Sequence, residues 1–468
     1  MREHRLKLLA TTLAAALLLA ACGGADDGDP SPATTNRTAT ETAPPAGPAA
    51  ETSVEIPDTP AGEMTAFLIA LTEQNEDVTP ADFGDRLSET LLAAASAQEI
   101  ADVMNSMIRP ARPFVVTDYQ GDETTAVATM AGTVGSPFLL QIAVDDDGRL
   151  TGIYYSPAPA DHEPATSIED AAERLSEMPV AVRALVTLTE PGEEPTTLIS
   201  QDPGEAAPLA SAFKLYVLLA VHHAVEEGEL TWDEELVITD EIRSIPAGEL
   251  AEDAVQVSVR DAAGVMISAS DNTATDVLIN RLGREAVEDA VVAAGHHDPA
   301  LLRPFLTTRE LFEVAWGEGD LAPRWADSDE PGRRAILDEI SGQPLTATTS
   351  DVTGDPVWDD GLDWFASPSD IDAVLDALEA TGDPTVREIL STNPGIGLDF
   401  DRDAWPHIEF KGGGSLGVTT GAWRAERADG AELRVIVLTS SDDTVTGAEN
   451  QGETFGLVED IFRVAASL

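Results

Sequence analysis

The chain of 468 residues carries 27 Lys and Arg against 85 Asp and Glu, a formal net charge of −58. Negative charge on this scale, spread through the sequence, repels nucleic acid and anionic lipid headgroups, so both are excluded as direct ligands. The length is sufficient for two or three domains, each with a sizeable core.

Residues 1–22 have the features of an export signal. Arg2, Arg5 and Lys7 form a positive segment, and the apolar stretch that follows is too short to span a bilayer. It ends in Leu-Ala-Ala-Cys22, which resembles the bacterial lipobox. The resemblance implies that Cys22 is lipidated and that the protein is exported and anchored to the outer face of the cytoplasmic membrane. An ordinary signal peptide with an incidental cysteine is the alternative.

Residues 23–60 consist mainly of Ala, Thr, Pro, Gly and acidic residues, with almost no large apolar side chain. Such a segment buries too little apolar surface to fold, so we expect a disordered spacer. Because Cys22 is the sole cysteine, intrachain disulfides, a Cys-based zinc site and a cysteine nucleophile are excluded from the folded part.

Residues 61–160 are predicted to form an α+β domain in which helices precede a strand meander. Helical patterns cover Met64–Leu71, a stretch from the N-cap Thr79 through 83–95, and 97–108. Four strand-like runs follow between residues 114 and 155. This order resembles the ketosteroid-isomerase-like fold of the nuclear transport factor 2 family. No acid or base can be placed in it, which favours docking or substrate shaping over a second active site.

Residues 167–468 form the second predicted domain. Strand patterns occur near both of its ends, and several helical segments lie between them. We therefore expect the two ends to pair in one antiparallel sheet.

The mature chain holds only two lysines, Lys214 and Lys411, while arginine supplies its other permanent cations. Arginine stays protonated, whereas a buried lysine can lose its proton and act as a base. Lys214 closes Ser211-Ala-Phe-Lys214, which places a hydroxyl and an amine one helical turn apart on the same face. Pro208 favours a helix start near Ser211, where free N–H groups stabilise a developing anion. An amine of lowered pKa can activate that hydroxyl as a nucleophile.

Two further motifs follow in order along the chain: Ser270-Asp-Asn272, and Lys411-Gly-Gly413 at the end of a strand-like run. The order Ser-x-x-Lys, Ser-Asp-Asn, Lys-x-Gly resembles class A β-lactamases and the wider penicillin-recognising serine hydrolases. The resemblance covers the second domain. It implies an α+β domain with an antiparallel sheet flanked by helices, plus an all-helical subdomain.

The resemblance also implies roles for individual residues. Ser211 is the acylated nucleophile, and Lys214 is its general base, held near neutrality by burial and by Lys411. Ser270 relays a proton to the leaving nitrogen or oxygen. Asp271 is left out of the site as a structural residue.

Substrate binding is implied at the other motif positions. Asn272 binds an amide or carbonyl oxygen of the substrate, and Lys411 attracts a substrate carboxylate. The backbone N–H groups of Ser211 and Gly414, next to Gly413, form an oxyanion hole, in which one donor contributes about 3 kcal/mol in related chemistry.

The sequence departs from the class A pattern at the deacylating glutamate. That residue lies in an Ω-loop, but here the segment ending at Pro299 runs almost directly into Leu306–Leu311, so the loop is expected to be deleted. The nearby carboxylates Asp298, Glu310 and Glu313 are predicted to be solvated surface groups. Efficient penicillin hydrolysis is therefore not expected.

Two more departures concern the substrate cleft. Gly412 stands where Thr or Ser is usual and removes a hydroxyl that commonly contacts a substrate carboxylate. The spacing between the second and third motifs is also longer than in compact β-lactamases. The extra length includes the acidic stretch from Trp325 to Trp364, for which a cleft rim and a surface insertion both remain open.

Two other patterns are rejected. Gly413–Gly417 fits the G-x-S-x-G elbow of α/β-hydrolases, but a strand rather than a helix is predicted to follow it. The adjacent pairs His222-His223 and His296-His297 are predicted to point apart and to be solvated. No metal and no cofactor are expected.

The combined reading is a lipid-anchored serine hydrolase acting through an acyl-enzyme on small-molecule ester, amide or β-lactam substrates. It is similar to two-domain lipoproteins of the clavulanate-cluster esterase type. Two alternatives remain: a genuine β-lactamase or D,D-peptidase of cell-wall metabolism, and a non-catalytic binding lipoprotein of the cell envelope.

Overall fold

The computed structural model describes residues 54 and 56–468 apart from gaps at 75–76, 89–90, 93–95, 110–111, 133–136, 146, 158–161, 246–249, 251–253, 396–397 and 399. The chain divides into two compact units at residues 158 and 159. The predicted signal segment with Cys22, and most of the predicted spacer, lie outside the described residues. Within the described part, no helix combines the length and apolarity that crossing a membrane requires.

The first unit begins with helices: α1 (Pro60–Glu73), α2 (Pro80–Phe83) and α3 (Ala97–Val103), which continues as a π-helical turn, Met104–Ile108. Leu91 and Leu92 are helical, as predicted, but the helix predicted from Thr79 through residue 95 is not continuous, and its first part ends at Phe83. It ends there because Gly84 adopts a φ of 59°, a left-handed conformation that interrupts an α-helix.

Four antiparallel strands complete the first unit as a meander of order β1-β2-β3-β4: β1 (Val115–Gly121), β2 (Thr125–Ala131), β3 (Phe138–Val144) and β4 (Leu150–Pro157). Helix α1 packs on β2 and β3. The predicted strand meander is confirmed, while the nuclear transport factor 2-like assignment stays a prediction.

The second unit comprises, in chain order, α4 (Ile168–Glu177), β5 (Ala181–Thr189), β6 (Thr196–Gln201), β7 (Ala207–Pro208), α5 (Lys214–Glu226), β8 (Glu235–Val237), β9 (Gln256–Ser258), α6 (Val259–Ser268), α7 (Asn272–Leu282), α8 (Arg284–Ala293), α9 (Thr308–Trp316), α10 (Leu321–Ala326), α11 (Glu330–Ile340), β10 (Phe365–Ala366), α12 (Pro368–Ala380), α13 (Pro384–Ser391), β11 (His407–Ser415), β12 (Val418–Glu426), β13 (Glu432–Ser440) and α14 (Thr444–Ala465). Short 3-10 turns occur at Ala210–Phe213, Pro299–Leu302, Thr349–Asp351 and Trp358–Asp360.

The main sheet of this unit has the antiparallel order β11-β12-β13-β5-β6. Strand β13 pairs with β5, so the two ends of the domain meet in one sheet, as predicted. Its side chains alternate between two cores. Val435 and Val437 join the core that includes α4 and α14, and Ile436 and Leu438 join the larger helical core.

Helix α5 runs through the centre of the larger core and is buried on every side from Lys214 to His222. Helices α7 and α8 pack against it. Such burial requires an apolar sequence all round the helix, which Leu215–Val221 supplies. The start of this buried helix positions the residues of the Ser-x-x-Lys motif.

Candidate active site

Ser211 lies in the 3-10 turn Ala210–Phe213, which leads directly into α5. The turn starts from a strained backbone, because Ala210 holds a φ of 44° where glycine is usual. Ser211 is half-buried, while Ala212, Phe213 and Lys214 behind it are buried. The hydroxyl therefore occupies the start of a helix, where sequence reasoning expected it.

Lys214 is fully buried, and its amine Nζ donates three hydrogen bonds. The acceptors are the backbone oxygen of Ser270 at 2.6 Å, the Ser270 hydroxyl at 3.2 Å and Oδ1 of Asn272 at 2.8 Å. Burial lowers the pKa of Lys214 to about 7, although the charges of Asp271 and Asp276 act in the opposite direction. A large fraction of this amine is therefore neutral near pH 7 and can accept a proton. From the sequence, the lowered pKa of Lys214 was expected to come partly from Lys411, but burial lowers it.

Ser270 connects the two lysines. It lies between α6 and α7 with a φ of 59°, and its hydroxyl accepts hydrogen bonds from Lys214 at 3.2 Å and from Lys411 at 3.0 Å. Asp271 caps α7 by accepting from the N–H of Ala274 at 2.7 Å, which is the structural role predicted for it. The hydroxyl of Ser270 is thus placed to pass a proton between two amines.

Lys411 is buried on β11 and also donates to the backbone oxygen of Gly412 at 2.6 Å. Burial, and then the charge of Lys214, lower the pKa of Lys411 well below its usual range. The charged form is disfavoured in this environment. This weakens the predicted role of Lys411 as a fixed cation for a substrate carboxylate.

Gly413 brings strand β11 against the nucleophile turn. A Cβ atom at this position would lie 2.4 Å from the oxygen of Leu209, 2.6 Å from Oγ1 of Thr420 and 2.7 Å from the nitrogen of Ser211. Only glycine permits this approach. The next residue, Gly414, lines the same groove as Ser211, so both proposed oxyanion donors lie at one site.

The rejected G-x-S-x-G pattern is part of a hairpin. Strand β11 continues through Ser415, Leu416 and Gly417 form the turn, and Val418 begins β12 in register with Ser415. A strand follows the serine, as predicted, which excludes a nucleophile elbow.

An open groove of about 640 Å³, part of it open to solvent, extends from Ser211. Asn272, Gly414 and Ser415 line its polar end, and Phe312 and Trp316 of α9 line an apolar wall. The segment after α11 supplies the rest of that wall through Val352, Val357, Trp358, Leu362 and Trp364. The long spacing between the second and third motifs therefore builds the rim of the cleft, one of the two possibilities left open above.

Asp363 was missed by sequence reasoning. This buried carboxylate lines the groove, and its Oδ1 accepts hydrogen bonds from the N–H groups of Leu209 at 3.1 Å, Ala210 at 2.8 Å and Trp364 at 2.7 Å. Burial raises the pKa of Asp363 to about 7, against these hydrogen bonds. Asp363 thereby holds the strained turn that presents Ser211. Its only signal in the sequence is an acidic residue between Leu362 and Trp364.

Two of the three carboxylates near the expected loop deletion are not solvated surface groups. Glu313 is buried and accepts from the N–H of Thr346 at 2.7 Å. Glu310 completes a capping box with Thr307 and pairs with Arg284 at 2.7 Å. The predicted solvated role is therefore wrong for both, because each holds a neighbouring segment in place. Asp298 is exposed, as predicted, and caps a 3-10 turn.

The histidine pair predicted to point apart is stacked instead. The rings of His296 and His297 lie 5.2 Å apart with an interplanar angle of 13°, and His296 is buried. The Nδ1 of His297 lies 2.7 Å from Asp370, and these three side chains place potential metal ligands within 4.8 Å of one another. Both ring nitrogens of His296 are already used, at 3.0 Å from the oxygen of Phe365 and 3.1 Å from the N–H of Asp298. This cluster therefore holds loops together. His222 is also buried rather than solvated.

Similar solved structures include several β-lactamases and PBP-A. A β-lactamase from Sphaerobacter thermophilus is 19% identical, covering 65% of this chain and 97% of that chain, with a TM-score of 0.43. A class A β-lactamase from Mycobacterium abscessus is 17% identical, covering 63% of this chain and 99% of that chain, with a TM-score of 0.41. PBP-A, solved as a mutant acyl-enzyme complex with penicillin G, is 15% identical, covering 65% of this chain and 100% of that chain, with a TM-score of 0.42. No curated protein matches the sequence.

Two family models match separate parts of the sequence. Residues 56–150 match the family described as ORF 12 gene product N-terminal, and residues 167–335 match the one described as beta-lactamase enzyme family. The second match covers the Ser-x-x-Lys and Ser-Asp-Asn motifs. Residues 167–335, within a unit of mixed helix and sheet, are therefore β-lactamase-like.

Proposed function

We propose that the protein is a lipid-anchored serine hydrolase that forms an acyl-enzyme at Ser211 and acts on esters or amides, with poor turnover of β-lactams. The observation that carries the proposal is the buried amine of Lys214. It lies one turn from Ser211, and its pKa is lowered to about 7 by burial. A side chain that accepts a proton near neutral pH is the requirement for activating a serine hydroxyl.

The acylation step uses the groups of the site in sequence. Lys214 accepts the proton of Ser211 while Oγ bonds to the substrate carbonyl carbon. The N–H groups of Ser211 and Gly414 stabilise the oxyanion. Ser270, hydrogen bonded to Lys214, then transfers the proton to the leaving oxygen or nitrogen, and the bond from that atom to carbon breaks. The products of the step are an ester at Ser211 and a released alcohol or amine.

Slow hydrolysis of this ester is supported by the carboxylates nearby. Glu310 and Glu313 are engaged in structural hydrogen bonds, and Oδ1 of Asp363 already accepts three backbone N–H groups. None of the three is free to act as the activating base that class A enzymes have in the Ω-loop. The ester that a β-lactam forms at Ser211 should therefore persist on the enzyme.

Intact-mass spectrometry with penicillin G tests the proposal. The full chain carrying Cys22→Ser, which removes the lipidation residue, should gain the mass of one penicillin, mapped to Ser211, and hold it for minutes or longer. Ser211→Ala should gain nothing. Rapid product release with no adduct would support a genuine β-lactamase. If neither penicillin nor a panel of short esters reacts, the binding-lipoprotein alternative replaces the hydrolase.

The anchor and the first unit belong to the same proposal. The lipobox resemblance at Cys22 supports lipidation, and the helix-then-meander order of residues 60–157 supports a nuclear transport factor 2-like unit that docks or shapes substrate. Together they support a two-domain lipoprotein of the clavulanate-cluster esterase type. Metabolic labelling with a palmitate analogue should mark the wild-type protein in the membrane fraction. Cys22→Ser should abolish the label, and a labelled Cys22→Ser protein would contradict the anchor.

A further inference from the structure

The groove beside Ser211 is apolar along most of its length. Phe312 and Trp316 come from α9, Val352 and Trp358 come from the segment after α11, and Leu416 comes from the turn between β11 and β12. Trp316 and Trp358 are only half-buried, so faces of both indoles remain accessible to a ligand. An apolar wall of this extent next to a nucleophile favours a ligand that buries hydrocarbon surface.

The polar groups of the site divide into two sides. Ser211, Asn272 and Gly414 line the groove, whereas Lys214, Ser270 and Lys411 do not line it. In the acylation step the leaving atom must face Ser270 to receive its proton. The other side of the carbonyl group, the acyl part, is then directed into the groove.

Positive charge is missing from the groove walls. Among the residues that line the groove, all within the described part of the chain, none is Lys or Arg, and Asp363 is the one acidic residue. Lys411, which the resemblance assigns to a substrate carboxylate, is buried and hydrogen bonded to Ser270 and Gly412. A substrate carboxylate would therefore lose its hydration without gaining an ion pair, which is costly.

We propose that the groove is an acyl-binding site that selects uncharged esters of apolar carboxylic acids, with medium-chain aliphatic or aryl acyl groups. The proposal rests on the acyl-enzyme chemistry proposed for Ser211. It assigns the extra segment before Trp364 to specificity for the acyl group.

A series of p-nitrophenyl esters with one leaving group and acyl chains from acetyl to octanoyl tests the site. The full chain with Cys22→Ser should show a kcat/KM that rises with chain length, and hexanoate should exceed acetate by at least about tenfold, since each buried methylene contributes about threefold to fourfold. The hemisuccinate, matched in length to butyrate but carrying a carboxylate, should be at least about tenfold slower than butyrate.

Variants of Trp316 locate the effect. Trp316→Ala and Trp316→Glu should lower the hexanoate-to-acetate ratio of kcat/KM about fivefold or more, because the lost contact is made by the longer acyl chain. Trp232→Ala is the matched control: this tryptophan is also half-buried and lies outside the groove lining, so the ratio should stay at the wild-type value.

The outcomes separate the two proposals. A flat chain-length profile, a hemisuccinate as fast as butyrate, or an unchanged ratio in both Trp316 variants would overturn the acyl site, while Ser211-dependent acetate hydrolysis would leave the serine hydrolase intact. If no ester is hydrolysed in a Ser211-dependent manner, both proposals fail.

Discussion

The amine of Lys214 donates a hydrogen bond to the side-chain oxygen of Asn272 over 2.8 Å. The acceptor is a neutral amide, so the amine is held in place without a directly bonded anion. A carboxylate in the same position would stabilise the ammonium form and remove the neutral amine from use at pH 7. The choice of Asn over Asp at residue 272 thus bears on the pKa of Lys214.

Asn272→Asp should move the activity to higher pH. An anion within hydrogen-bonding distance raises the pKa of an amine by about 1 to 3. The midpoint of the rising limb of kcat/KM for p-nitrophenyl acetate should shift upward accordingly, with at least about a tenfold loss at pH 7 that recovers toward pH 9. Asn272→Ala, which adds no charge, should show no upward shift. An unchanged midpoint in Asn272→Asp would show that Lys214 is not the titrating base.

The wild-type protein should gain activity as Lys214 loses its proton. Because burial lowers the pKa of Lys214 to about 7, and the neutral amine is the active form, kcat/KM should rise through pH 7 and level off above it. Lys214→Arg should cost roughly a thousandfold or more at every pH, since guanidinium does not release its proton. Arg387→Lys, at an ion pair with Glu426, should keep the wild-type profile. A fully active Lys214→Arg variant would rule out the proposed base.

Gly413→Ala should damage both stability and catalysis. The added Cβ would lie within 2.7 Å of the Leu209 oxygen, Oγ1 of Thr420 and the Ser211 nitrogen, so the strand or the turn must move. We expect a loss of about 1–3 kcal/mol in the free energy of unfolding and about a hundredfold in kcat. Denaturant unfolding and ester kinetics measure the two effects. Gly264→Ala is the control within α6, because a Cβ there would meet no atom within 4 Å apart from its chain neighbours and the backbone of its own helix. Equal effects in both variants would contradict the close packing at Gly413.

Asp363→Asn should flatten the pH dependence of stability. The folded-state pKa of Asp363 is raised to about 7, so the folded protein binds its proton more tightly than the unfolded chain does. The contribution of Asp363 to the free energy of unfolding therefore falls as pH rises from about 4 to 7, by at most about 4 kcal/mol. Asparagine cannot ionise, so the fall in the free energy of unfolding between pH 4 and 7 should be smaller in this variant. Part of the fall should remain, because the pKa of Asp276 is also raised to about 7. Asp359→Asn, at an exposed site, should leave the decline unchanged.

The parts of the site that the sequence could predict are those with local patterns. The Ser-x-x-Lys spacing depends only on helical geometry, and the start of α7 has a strong capping signal at Asp271. The structure joins Lys214, Ser270 and Lys411 by hydrogen bonds and places Ser211, Asn272 and Gly414 at one groove. Their chemical roles remain predictions that the experiments above address.

The parts that the sequence could not predict depend on distant pairings. Asp363 contacts Ala210 across 153 residues, and the two-residue strands β7 and β10 that align them have no periodic pattern. The stacking of His296 on His297 depends on Asp370, 73 residues away from His297. Residue type alone suggests solvation, whereas tertiary contacts bury Asp363 and His296; His297 is exposed, as predicted.

The position of β13 between β12 and β5 bears on when this protein can become active. The sheet that carries Lys411 and Gly413 is completed by β12 and β13, which follow the helices of the larger core in the sequence. A chain that lacks β11 to β13 also lacks Gly414, the proposed oxyanion partner of Ser211. Non-local closure of this kind also makes folding slow. The proposed hydrolysis therefore requires strands β11 to β13 as well as Ser211, and a chain without these strands should not be acylated.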